Sequence, residues 1–172
     1  VKEAGPADAL VTQQTGVYLG VLTADCVPML FVAPERKLVA AVHAGWRGTL
    51  QGITEKLLAL LNREHGIVPG ELEAALGPSI GACCYEVKQD VTAPLIEKWG
   101  KLASAAIEAR EGRSFLDLRS LNRNVLAQAG VPSAQIFEVG PCTGCAADDF
   151  FSYRRAQGET GRQLSFVGRL PQ

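Results

Sequence analysis

No long apolar run occurs in this chain. The longest, Val27 to Ala33 and Leu38 to Val42, are strand-sized and fall far short of the roughly 20 residues a membrane-spanning helix needs. Neither sign of charge is in excess either. With 17 basic and 18 acidic residues the formal net charge is −1, which excludes the broad positive field that holds nucleic acid or an anionic membrane. Any partner anion must therefore be bound by a few local arginines. The opening Val1-Lys2-Glu3-Ala4-Gly5-Pro6 has neither the charged start nor the apolar stretch of a signal peptide, and the natural N-terminus is expected to lie elsewhere. The five cysteines are an odd number without a secretory signal, so free thiols in a reducing cytoplasm are expected.

What is present is the material of one globular domain: 47% hydrophobic and 20% charged residues in 172, undivided by any repeat, linker or low-complexity tract. Residues 1–172 are expected to form a single domain. Three β-branched apolar runs, Val17 to Thr23, Val27 to Ala33 and Leu38 to His43, read as strands covered on both faces. Ala44-Gly45-Trp46-Arg47-Gly48 then makes a tight turn. Leu50, Ile53, Leu57, Leu58 and Leu61 recur at helical spacing up to a stop at His65-Gly66. Leu72 to Leu76 is a further strand, Lys88 to Trp99 a helix that Pro94 should kink or break, and Asp117 a cap for a helix ending at Gly130. Gln135 to Val139 and Gln163 to Val167 complete the strands.

Three constellations can carry chemistry. Cys26, in Thr23-Ala24-Asp25-Cys26, and His43, in Val42-His43-Ala44-Gly45-Trp46-Arg47-Gly48, sit where adjacent strands give way to loops, the usual place for a site. Thiolate and neutral imidazole are good zinc ligands. The same pair without a metal can make a cysteine nucleophile, and the residues alone leave both readings open. Asp25 either orients a ligand or caps the following turn. In Phe150-Phe151-Ser152-Tyr153-Arg154-Arg155, followed by Arg162, hydroxyl, rings and guanidinium groups can clamp a phosphate and stack on a flat ring. Arg47, in the glycine turn, is the better single anion ligand. Cys83-Cys84 and Cys142-Thr143-Gly144-Cys145 include one CxxC pair, a weak metal or redox signal, and are expected to be ordinary loop thiols. His65 is explained by its place at a helix end.

These motifs, together with Ala7-Asp8-Ala9-Leu10-Val11-Thr12, Leu76-Gly77-Pro78-Ser79-Ile80-Gly81, Cys84-Tyr85-Glu86-Val87 and Thr160-Gly161-Arg162, occur in order along the whole chain. In this the sequence resembles the laccase-domain proteins, described both as multicopper polyphenol oxidases and as purine nucleoside phosphorylases. The resemblance implies an α/β (α+β) fold, a layered α/β/β/α sandwich with a mixed β-sheet. It implies a metal at Cys26 and His43, with zinc expected and copper possible, and a third ligand from an upstream Gln-Val-His motif that this sequence does not contain. By the same resemblance, the family's N-terminal segment is expected to be missing from residues 1–172.

The implied activity is phosphorolysis of adenosine, inosine, guanosine and methylthioadenosine, with deamination of adenosine. Cys26, His43 and Arg47 are the expected catalytic residues. Arg47, Ser152, Arg154 and Arg155 are expected to bind substrate and phosphate. The partners are then a purine nucleoside and phosphate, with no nucleic acid and no membrane. Two alternatives stand beside this reading: a copper phenol oxidase, against which the presence of only two histidines argues, and a Cys26/His43 amidase acting on cell-wall precursors.

Overall fold

The computed structural model describes Gly5 and residues 7–171; the opening residues 1–4 and Pro6 lie outside the described residues. A five-stranded sheet forms the centre, in the order β1 (Ala9–Thr12), β4 (Leu38–Ala44), β3 (Val27–Ala33), β5 (Glu73–Leu76) and β9 (Ile136–Glu138). Its pairs are antiparallel except for β5 with β9, so the sheet is mixed. Every second residue of the central hairpin faces one way. Val27, Met29, Phe31 and Ala33 of β3, with Leu38, Ala40, Val42 and Ala44 of β4, are almost wholly buried. They pack on Leu57 and Leu61 of α2 (Ile53–His65) and on Leu121 and Val125 of α5 (Leu118–Gln128). Emptying such a site, as in Phe31→Ala, costs about 3–5 kcal/mol.

Val39 and Ala41 face the opposite way, and so does His43. This face is covered by β2 (Tyr18–Thr23) and β10 (Gln163–Gly168), an antiparallel pair that contacts β3 and β4. The outer face of that ribbon carries Tyr18, Leu22, Leu164 and Phe166, each 50–59% exposed. The expected mixed α+β architecture is thus present. Among the described residues the layers are helices, five-stranded sheet and ribbon, and no helix lies against the ribbon's outer face. No helix among them is long and apolar enough to cross a membrane.

Local signals held at several boundaries. Gly66 takes a left-handed conformation and ends α2, its N–H donating to Asn62 O. Asp117 caps α5 by accepting from Ser120 N at 2.8 Å. Two expectations need correction. Residues 46–48 are not a loop, because Trp46–Leu50 form a short helix, α1, separated from α2 by left-handed Gly52. Pro94 does not break its helix, since α3 runs from Gln89 to Trp99 through it; Leu95 just beyond is fully buried, and tertiary packing carries the turn past the missing N–H.

A three-stranded sheet completes the fold: β6 (Glu86–Val87), β8 (Arg113–Leu116) and β7 (Ile107–Arg110). Beside it lie α4 (Lys101–Ala105) and, at the far end of the chain, α6 (Tyr153–Ala156).

Candidate active site

A cavity of about 1160 Å3 opens at the end of the β3–β4 hairpin, and both Cys26 and His43 line it. The antiparallel register places Pro28 opposite His43 and Val27 opposite Ala44, so Cys26, one residue ahead of β3, comes beside the imidazole. Gly45 is held close to it: a Cβ there would stand 3.1 Å from Cys26 Sγ.

The ring is oriented by Asp8, the residue just ahead of β1. His43 Nδ1 lies 3.0 Å from Asp8 Oδ1, and His43 N donates to Asp8 O at 2.8 Å. An Nδ1–H donated to a carboxylate fixes the tautomer and leaves Nε2 for other work. The Cys26 side chain raises His43 most, burial opposes it, and Asp8 adds to it, so the imidazole is pushed up to about 9. Sequence reading assigned no role to Asp8; its signal was its place at the start of a strand whose register meets His43.

Asp25 neither caps the turn nor touches the imidazole. It is 9% exposed at φ 87, an uncommon backbone state for a residue other than glycine. Its carboxylate accepts from Thr143 Oγ1 at 2.6 Å and from Arg154 N at 2.7 Å, and its carbonyl accepts from Ile80 N. One buried carboxylate thereby ties the β2–β3 connection to two distant segments.

The expected anion ligands separate. Arg154 lines the cavity, with its guanidinium 4.9 Å from the Tyr85 ring centroid and donating to Glu86 O at 2.6 Å. Arg162 lines it too. Arg155 instead donates to the carbonyls of Thr143, Gly144 and Phe150, and Ser152 caps α6 by accepting from Arg155 N. Arg47 is exposed on α1, stacked 4.5 Å from the Trp46 centroid, and is not on the cavity wall among the described residues. Trp46, Ile80, Tyr85 and Leu118 give that wall apolar surface.

The expectation of ordinary loop thiols is also corrected. Cys83, Cys84, Cys142 and Cys145 converge, with all four Sγ atoms within 4.8 Å of one another, and such a cluster could hold a metal ion. Burial raises the Cys83 thiol to about 11, with Cys142 and Cys145 adding, and raises Cys84 further. Cys142 goes the other way, down to about 7. Burial opposes that fall, but the N–H of Gly81, the N–H of Cys145, the Cys83 side chain and the N–H of Gly144 outweigh it.

With this geometry in view, comparison with known proteins is decisive at the family level. The profile of the multi-copper polyphenol oxidoreductase laccase family matches residues 1–170. The chain belongs to that family. It is 42% identical over 165 residues to the purine nucleoside phosphorylase YlmD of Geobacillus stearothermophilus, across 94% of this chain and 60% of that protein. It is 39% identical over 163 residues to the adenosine deaminase RL5 of an unknown prokaryotic organism, across 94% of this chain and 62% of that protein. The crystal structure of the Geobacillus YlmD superposes with a TM-score of 0.90 at 41% identity, covering 96% of this chain and 62% of that one. The chain therefore spans about three-fifths of the length of these laccase-family relatives.

Proposed function

We propose that the protein is a cytoplasmic enzyme that phosphorolyses purine nucleosides (adenosine, inosine, guanosine and methylthioadenosine) and deaminates adenosine, with zinc at Cys26 and His43. The observation that carries the reading is the division of one cavity. Cys26 and His43 share its wall with Arg154 and Arg162, and the Tyr85 and Trp46 rings and Ile80 lie on the same lining. A flat base suits the apolar wall, and an anionic co-substrate such as phosphate suits the guanidinium groups. Relatives named for phosphorolysis and for deamination support both activities.

The donor set fits zinc in kind. One thiol and one imidazole stand together, and Asp8 holds Nδ1 so that Nε2 is the ring nitrogen left to ligate. When bound, zinc supplies a Lewis acid that lowers the pKa of water. The remaining work belongs to the chain itself. Arg154, held by Glu86 O and seated on Tyr85, presents fixed positive charge to an incoming phosphate, so no reorganisation is needed as charge develops. Phosphate oxygen forms its bond to the ribose C1′ as the bond from C1′ to the purine nitrogen breaks, and the electron pair leaves with the base. Asp25 binds no substrate in this scheme; it fixes where Arg154 begins.

A second reading has one observation in its favour, because a histidine raised to about 9 by a neighbouring cysteine is also what a thiolate nucleophile needs. The two are separated by incubating the zinc-loaded protein with adenosine and phosphate and following adenine, ribose 1-phosphate and inosine. Their appearance, lost on chelation, supports the phosphorylase and deaminase. Failure to form any of them, with a chelator-resistant amidase activity that thiol alkylation abolishes, overturns it. The copper oxidase reading gains nothing here, since among the described residues His43 is the one histidine on the cavity.

A further inference from the structure

The geometry points to a second metal site: a closed tetrahedral zinc centre made by the thiolates of Cys83, Cys84, Cys142 and Cys145, which fastens together two loops of the cavity. Zinc with four sulfurs at about 2.3 Å sets those sulfurs roughly 3.8 Å apart. In the protein Cys145 Sγ lies 3.4 Å from both Cys83 Sγ and Cys84 Sγ, and no pair exceeds 4.8 Å. The observed spacings bracket the tetrahedral edge, so small rotamer shifts would seat the ion. All five cysteines are free, and Cys145 is equidistant from two candidate partners, which favours one shared ion over a particular disulfide.

The backbone is shaped for the cluster. Gly81 N donates to Cys142 Sγ at 3.2 Å, an arrangement that stabilises thiolate sulfur. A Cβ at Gly144 would stand 2.8 Å from Cys84 Cβ and 2.9 Å from Cys84 Sγ, so the two loops approach this closely only because residue 144 is glycine. Binding one divalent ion releases the four thiol protons and leaves a doubly negative centre. Arg110, which donates to Ala82 O, and Arg155, which donates to Gly144 O, bring positive charge to the two loops that carry it.

The consequence for the cavity follows from neighbours in sequence. Thr143, between the two cysteines of the second loop, is fully buried and donates to Asp25. Tyr85, directly after Cys84, lines the cavity beneath Arg154. An ion holding both loops thus fixes Asp25 and Arg154 without touching substrate. Its role is positioning.

The test starts from the Cys26→Ala/His43→Ala double variant, which clears the other candidate site and makes the readout independent of activity. Elemental analysis should find one zinc per folded chain, and zinc-edge X-ray absorption should show four sulfurs at about 2.3 Å. Adding Cys142→Ser and Cys145→Ser should abolish that zinc. The absorption measurement on the first variant stands even if the second does not fold. A folded double variant without zinc, a zinc shell of nitrogen and oxygen, iron in place of zinc, or an intact mass showing disulfides among the four cysteines would each overturn the proposal. Loss of the nucleoside activity would leave it untouched.

Discussion

The Cys26–His43 pair and the four-cysteine cluster offer similar ligand chemistry in opposite settings. The first is open. Its two donors stand on a cavity wall, its histidine is 36% exposed and braced by a half-exposed Asp8, and no third donor joins it among the described residues. The second is closed, with four sulfurs facing one another and no room for substrate among them. Open metal sites do chemistry and closed ones hold structure. Damage to the first should therefore be read in turnover and damage to the second in stability.

The largest effect is expected at the open site. Cys26→Ala or His43→Ala should lower kcat by a factor of about 10²–10⁴, the range for losing a group at the reacting centre. Neither side chain belongs to the core, so the melting temperature should move by only about 2 °C. Turnover close to that of the unaltered protein, measured with adenosine and phosphate, would remove the pair from the chemistry and dissolve the contrast.

The converse is expected at the closed site. Cys145→Ser should cost ~3 kcal/mol or more, the class of effect seen when a structural metal is lost, a fall of roughly 6–12 °C in Tm for a chain of this size. Stepwise addition of a strong chelator should reproduce that fall in the unaltered protein and leave the variant's Tm unchanged. A Tm unmoved by the substitution would show that the loops hold themselves.

The two sites were unequally legible for physical reasons. Cys26 directly precedes one strand of a hairpin and His43 lies near the end of the next, so spacing alone brought them together. The cysteines of the cluster are separated by 61 and 62 residues, and no local pattern reports a contact of that range; an adjacent pair and a single CxxC are each weak. Asp8 stayed hidden because β1 has only four residues, none of them fully buried. The β7–β8 hairpin was missed since Ile107–Arg110 is mostly exposed and offers no apolar alternation. Its signal lay in the turn, where Glu111 and Gly112 both have positive φ, as a two-residue hairpin connection requires. The helices read more easily, their caps and apolar stripes being local.

Thr143 joins the two regions and measures how far they are coupled. Thr143→Val keeps the shape and removes the hydroxyl that donates to buried Asp25. The loss should be about 1.5–3 kcal/mol, as for a hydrogen bond to a charged group, read by urea unfolding. Because the same carboxylate accepts from Arg154 N, KM for phosphate should rise while kcat changes less. Unchanged KM would confine the closed site's influence to stability. Asp8→Ala touches the open site alone. It should weaken zinc binding there by about 10- to 100-fold in chelator competition, with the tetrathiolate zinc unaffected.

The smallest effect belongs to a place remote from both sites, and it serves as the reference for the others. At the far end of the β3–β4 hairpin, Arg36 Nε pairs with Glu71 Oε1 at 2.8 Å, and Val68 N donates to Glu71 Oε2. The Arg36 guanidinium first, then that N–H, holds the Glu71 carboxyl below its ordinary value of 4.5. A carboxyl depressed on folding contributes stability that is present above the unfolded value and is lost as pH falls through the folded one. Glu71→Gln should therefore lower stability slightly across neutral and alkaline pH, leave it unchanged at pH below the folded value, and so flatten the acid limb of the profile. The pair is exposed, so the change should be near the floor of what a melting curve resolves. A shift in turnover or zinc content with this variant would show that the hairpin transmits strain along its length, and the open site could then no longer be treated as independent of the end that anchors it.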